Sequence, residues 1–250
     1  MKTKGLFLAL MAQLVCLTAS ANDAVIDGIT YHLVASTMKA EVKHSEYTGS
    51  VKIPQTVKYK DVTYSVTSIG DGAFYGCAHL TSVTIPNGVT SIGEHAFNGC
   101  YSLTSLTIPG SVKSIGAGAF IGCADLTSVT IGNGVKSIGA KAFIGCYSLT
   151  SVTIPNSVTS IGAEAFRDCS SLASVTIPNS VESIGDTAFG GCRGLTDVYC
   201  YAKRVPSTGK SIFGDSSVSS AKLHVPAASL RTYKATTPWS SFGTKIALKD

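Results

Sequence analysis

Residues 80–102 read LTSVTIPNGVTSIGEHAFNGCYS, and this 23-residue sentence recurs with small changes from Leu103, Leu126, Leu149 and Leu172. Ile69, Ile92, Ile115, Ile138, Ile161 and Ile184 form one column of the register. Phe74, Phe97, Phe120, Phe143, Phe166 and Phe189 form a second, and Cys77, Cys100, Cys123, Cys146, Cys169 and Cys192 a third. A strict short period means that one unit cannot bury its apolar side alone. Successive units therefore stack into one elongated body.

Within the unit, Leu80, Val83 and Ile85 point inward while Ser82 and Thr84 point outward, the pattern of a short strand. Thr, Val and Ile are β-branched and suit a pleated surface. Pro86 has no N–H to offer a ladder and ends the strand. Asn87-Gly88 turns the chain, Val89 and Ile92 return inward, and Gly93 allows a tight corner. Ala96, Phe97 and Cys100 fall at i, i+1 and i+4, which predicts one short helical turn on the far side. A fully buried large apolar side chain contributes about 1.5–3 kcal/mol, and stacking buries the whole set continuously. In-register strands about 4.8 Å apart predict one parallel sheet. The far side needs more room than the strand side, so the stack bends with the sheet on its concave face.

The strand L-x-x-V-x-I-P, the corner V-x-S-I-G and the segment A-F-x-G-C recur in nearly every copy. On these motifs the chain resembles the BspA-like, or treponemal-type, class of leucine-rich repeats of exported bacterial proteins. The resemblance covers about 134 of the 250 residues. It implies a right-handed arc and roles in adhesion or host-protein binding, and it brings no catalytic residues. The common leucine-rich repeats place a ladder Asn or Cys just after the strand. Here that position holds Gly88, Ser111, Gly134, Ser157 and Ser180.

The expected organisation is a signal peptide over 1–21, an N-terminal β cap with a degenerate first repeat over 22–65, six repeats over 66–199, and a degenerate last repeat with a mixed cap over 200–250. Lys2 and Lys4, the apolar run Gly5 to Thr18 and Ala19-Ser20-Ala21 read as a secretory signal. The run is too short to span a bilayer. Gln13-Leu14-Val15 lacks the small residue that a lipidated Cys16 usually follows. Residues Ala24 to Thr48 predict a hairpin cap with Val25, Ile29, Tyr31 and Leu33 on one side. At the other end Leu223 to Pro226 reads as a last strand and Ala227 to Ala235 as a helix. Trp239, Phe242 and Ile246 are expected to cover the open core.

The net charge of +5 is unevenly spread. Residues 66–199 hold five Lys/Arg against eight Asp/Glu, whereas 200–250 hold eight against two. The repeat surface therefore carries no basic stripe for nucleic acid. The in-register cysteines have no C-x-x-C spacing and no His column, which argues against zinc. Their Cα atoms lie within disulfide range, but parallel side-chain vectors close poorly. Free thiols packed as small hydrophobes and some cross-links both stand as readings. His32, His44, His79, His95 and His224 are scattered, and no repeat sets one opposite a nucleophile. No cofactor or enzymatic activity is expected.

The candidate binding residues are the outward strand positions: Ser105, Ser128, Ser151 and Ser174 in one row, and Thr107, Thr130, Thr153 and Thr176 in the next. In the sixth copy these become Asp197 and Tyr199, where an aromatic, charged end is favoured for affinity. The variable far-side positions, including Tyr75, Tyr101, Tyr147, Ile121 and Ile144, form a rival surface. The expected partner is a protein or glycan bound on the concave sheet. A structural spacer or cell-envelope component is the alternative. An ice-binding array is a third reading, against which the curvature argues.

Overall fold

A computed structural model of the protein describes residues 21–248. The expected signal segment, Ala21 apart, and Cys16 lie outside that range. Strands Ser105–Ile108, Ser128–Ile131, Ser151–Thr153, Ser174–Ile177, Asp197–Cys200, Lys222–Pro226 and Thr244–Leu248 form a seven-stranded parallel sheet, here termed the front ladder. The register is that of the repeat: Leu106 pairs with Val129, Val152 with Val175, and Val175 with Val198. The copy at Leu80–Thr84 pairs instead with Gly49–Lys52, which lies within the span expected to hold the degenerate first repeat.

The stack has a second parallel ladder that the single expected sheet left out. Ser91–Ile92, Ser114–Ile115, Ser137–Ile138, Ser160–Ile161, Ser183–Ile184 and Ser207–Thr208 pair in sequence order, beginning on Val62–Ile69. Two residues carry no readable period, which is why these strands escaped the pattern. The glycine that follows each of them is fixed by close approach. A Cβ on Gly116 would lie 2.5 Å from the Gly93 backbone, and one on Gly162 would lie 2.5 Å from Ala140 N. No side chain fits where two corners touch.

Among the described residues the far side of the repeats contains no helical turn. It is a run of i→i+3 turns in which Ala119, Ile121 and Cys123 N–H donate to Gly116, Gly118 and Phe120 O. The intervening amides of Gly118, Phe120 and Gly122 donate to Ala140, Ala142 and Ile144 of the next coil at 2.7–2.8 Å. A helix would spend all of these groups internally. The alternation is set by two left-handed residues per coil, Gly118 and Gly122 here with φ 61° and 67°. At the second of these positions Asp168 replaces glycine and takes φ 59°. Asp is one of the few side chains that visits this region readily.

Six phenylalanine rings stack through the core with centroids 4.7–5.4 Å apart, and Phe213 extends the column at 5.7 Å. Tyr47 closes one end at 4.7 Å, while Trp239 and Phe242 meet Phe213 edge-on at the other. All seven cysteines of the described chain are buried and free. Five repeat thiols donate to a Phe carbonyl of the coil before: Cys100 to Phe74, Cys123 to Phe97, Cys146 to Phe120, Cys169 to Phe143 and Cys192 to Phe166, at 3.1–3.3 Å, and the first, Cys77, donates to Ser45 O of the cap at 3.3 Å.

The caps depart from expectation in two places. Strands Ala21–Ile26 and Ile29–Val34 do form a hairpin, with Ile29, Tyr31 and Leu33 buried, but Val25 is 71% exposed on its other face. At the far end Trp239 and Phe242 are buried, whereas Ile246 pairs with His224 and stands half-exposed in the outward row. The predicted helix is a 3-10 turn, Ala227–Ser229, followed by Leu230–Ala235.

Candidate binding face

The front ladder sets like residues side by side. Ser105, Ser128, Ser151 and Ser174 form one outward row that continues through Asp197 to Lys222. Thr107 lies beside Thr130, and Thr153 beside Thr176, in a row that continues through Tyr199 to His224. The six residues from Ser105 to Thr153 are exposed, while Ser174, Thr176, Asp197 and Tyr199 are half-buried toward the C-terminal cap. All ten sequence-derived candidates thus share one face.

Hydroxyls of the same residue types differ sharply in what they do. At the edge of the ladder Thr127 donates to Thr104 O, Thr150 to Thr127 O and Thr196 to Ala173 O, at 3.0–3.3 Å. In the turn after the strand Ser111, Ser157 and Ser180 donate to Val89, Val135 and Val158 of the preceding coil at 2.6–2.7 Å. Serine therefore fills the ladder role that Asn or Cys fills in the common leucine-rich repeats. In contrast, the Ser105, Thr107, Ser128, Thr130, Ser151, Thr153, Ser174 and Thr176 hydroxyls have no hydrogen-bond partner among the described residues. They are free to donate and to accept.

At the C-terminal end the Asp197 carboxylate accepts from His224 Nε2 at 2.8 Å, and the Tyr199 ring stacks on the His224 ring at 4.3 Å and 13°. The His224 hydrogen bond holds the Asp197 carboxyl below the usual carboxylate range. Both groups are thus engaged with each other. The residue with an open ring is Tyr201, which is 45% exposed. Its N–H donates to Ile177 O, and it follows the Ile177–Cys200 pair, so it takes the register of Pro155 and Pro178. That register was the available signal: the column reads Pro86, Pro109, Gly132, Pro155, Pro178, Tyr201.

On the rival far side Ile121 and Ile144 are half-buried, and Tyr75, Tyr101 and Tyr147 are exposed large hydrophobic side chains, at 54–56%. Glu164 draws Arg167 to 3.0 Å and Lys141 to 3.8 Å on the same side. No group of three or more possible metal ligands and no helix long and apolar enough to cross a membrane occurs among the described residues.

A family model described as BspA type Leucine rich repeat region, in six copies, matches residues 54–173 and 159–235. The fold is similar to the crystal structure of a T. pallidum leucine-rich repeat protein, at 28% identity and a TM-score of 0.72 over 91% of this chain and all of that one. A leucine-rich repeat protein from Bacteroides ovatus shares 25% identity over 91% of this chain and 77% of its own, with a TM-score of 0.47. No curated protein matches the chain. The repeat match, spanning well over half of the sequence, together with the stacked-strand geometry, shows that the chain belongs to the BspA-type leucine-rich repeat family.

Proposed function

We propose that the protein is an exported, non-enzymatic interaction module that holds a protein or glycan ligand against the front ladder. The repeat family and the fold support an interaction scaffold. The observation that carries the reading further is the lattice of unspent hydroxyls in two adjoining outward rows of the front ladder, whereas Thr127, Thr150 and Thr196 at its edge and Ser111, Ser157 and Ser180 in the turn donate theirs to the coil before. Export rests on the charged start, short apolar run and small-residue site of residues 1–21. Thr130→Arg combined with Thr153→Arg places two bulky cations on exposed positions of this face. The melting temperature is expected to stay nearly unchanged while ligand capture on a glycan and matrix-protein array is lost. Retained capture would move the site to the tyrosine-bearing far side.

The alternative, a spacer attached to the cell envelope, has an observation of its own. A cleft of about 800 Å³ beside the last coils is rimmed by Lys203 and Arg204. Salt-sensitive adhesion of the chain to cell walls, lost in Lys203→Ala with Arg204→Ala, would support that reading.

A further inference from the structure

Two hollows on the front ladder, of about 480 and 280 Å³, share Asn133, Thr153 and Pro155 and run together from Ser128 to Tyr201. They make one groove across four coils, about 14 Å long at the spacing of hydrogen-bonded strands. Its exposed apolar surface is the open ring of Tyr201, while Pro155 and Pro178 are buried in its floor. Its polar surface is the free hydroxyls of Ser128, Thr130, Ser151, Thr153 and Thr176, with the exposed amides of Asn133 and Asn156. Those two amides, like the hydroxyls, have no hydrogen-bond partner among the described residues.

No Lys, Arg, His, Asp or Glu lines either hollow. Charge lies outside the lining, in the Asp197–His224 pair, in Lys222 beside Asp197 and in Lys203 beyond Tyr201. An uncharged wall complements an uncharged ligand. Phosphate- or sulfate-bearing chains would lose hydration without gaining a cation. A polypeptide strand adds to the edge of a sheet through its backbone, and this is a face. Protein interfaces anchor on several Trp, Tyr or Arg side chains, and the groove offers one. What remains is a ligand rich in hydroxyls that both donate and accept, with an apolar C–H face to cover the tyrosine ring. An amide can meet two neighbouring hydroxyls at once, donating to one and accepting from the other. Tyr199 cannot serve as the platform in the same way, because its ring is already stacked on His224.

We propose that this groove binds a neutral oligosaccharide, with Tyr201 stacked on one sugar ring and Asn133 and Asn156 hydrogen-bonded to hydroxyls further along the chain. The inference rests on the front ladder being the binding face and adds the ligand class. The full chain would be screened against short neutral oligosaccharides, acidic ones such as hyaluronan and heparin fragments, and deglycosylated matrix proteins. Affinity for each hit would then be measured by calorimetry at low and high salt.

Binding to a neutral member, insensitive to salt, is expected. Tyr201→Ala should weaken it about tenfold, the scale of one aromatic stacking contact. Tyr201→Trp should retain it, Asn156→Ala should weaken it, and Thr153→Arg should abolish it, all with the melting temperature unchanged. Binding of acidic glycans alone, or of no glycan, overturns the inference. A protein hit lost in Thr153→Arg but indifferent to Tyr201→Ala overturns it while sparing the front-face reading. Any hit indifferent to both variants overturns both.

Discussion

The Cys146 thiol donates to the Phe120 carbonyl at 3.3 Å, and the Phe120 amide donates to the Ala142 carbonyl at 2.7 Å. Both groups of the Phe120 backbone are thus tied to the following coil, one through a side chain and one through the main chain. The cysteine column is a ladder of weak donors that adds a second hydrogen bond, from the following coil, to carbonyls already accepting a turn amide of their own coil, as Phe120 O does from Cys123 N–H.

Buried thiols in this arrangement should be chemically silent. Burial pushes Cys123 and Cys192 up to about 12 and raises Cys146 and Cys169 well above the ordinary thiol range. The thiolate is the reactive species. Iodoacetamide at mildly alkaline pH is expected to leave these four unlabelled in the native protein. Denaturant should then expose all seven described cysteines to titration. Fewer titratable thiols would reveal cross-links.

The same shifts set an alkaline limit on stability. The folded-state values are raised, so the unfolded chain loses these protons first, near the ordinary cysteine value of about 8.5. Their stabilisation is complete below that value and is lost as pH rises toward the folded value of about 12 at Cys123 and Cys192. The melting temperature should fall across that window. Cys123→Ala with Cys192→Ala should flatten the slope, although the pair starts from a lower stability.

Glycines of the same repeat should differ in tolerance. Gly116→Ala drives a Cβ to 2.5 Å from the Gly93 backbone, whereas the nearest atom to a Cβ on Gly110 is 4.0 Å away. The first substitution is expected to cost about 1–3 kcal/mol or more by overpacking two rigid corners. The second should stay within about 0.5 kcal/mol, as surface changes do. Urea denaturation of the two variants compares them directly.

The fold was legible because its columns are long: six isoleucines, six phenylalanines and six cysteines at one spacing fix both stacking and facing. The side ladder was not legible, since two residues have no period. The far side was misread because Ala-Phe-x-Gly-Cys has helical spacing, and only the left-handed φ at positions such as Gly118 and Gly122 breaks the helix. The rows of the binding face were also readable. Which hydroxyls remain unspent was not: Thr127 and Thr130 lie three residues apart, and only the first faces a carbonyl of the coil before it. Tyr199 and Tyr201 are likewise one residue type two positions apart, and the His224 stack that engages the first comes from a different strand.

Two serines of one coil separate scaffold from surface. Ser157 donates to Val135 O at 2.6 Å, while Ser151 faces out with no partner among the described residues. Ser157→Ala is expected to cost about 0.5–1.5 kcal/mol, the net worth of one hydrogen bond. Ser151→Ala should leave thermal stability within about 0.5 kcal/mol of the parent.

The phenylalanine column gives the sharpest test of stacking. Phe120 sits between Phe97 and Phe143 at 5.2 and 5.0 Å, and its backbone N–H and C=O are held by Ala142 and Cys146. A cavity there cannot collapse, because every neighbour is pinned in the same manner. Phe120→Ala is expected to cost about 3–5 kcal/mol. Phe189 has a repeat ring on one side only. On the other it meets Phe213 of the cap at 5.7 Å and 21°, a looser contact whose partners are edge-on aromatics and not a further coil. Phe189→Ala should therefore cost less and should loosen the C-terminal coils alone, since repeat stability is a sum of units and nearest-neighbour interfaces. Hydrogen exchange resolved by segment would show protection lost after residue 185 with the N-terminal coils intact. Equal destabilisation in the two variants, or uniform loss of protection in Phe189→Ala, would contradict nearest-neighbour stacking.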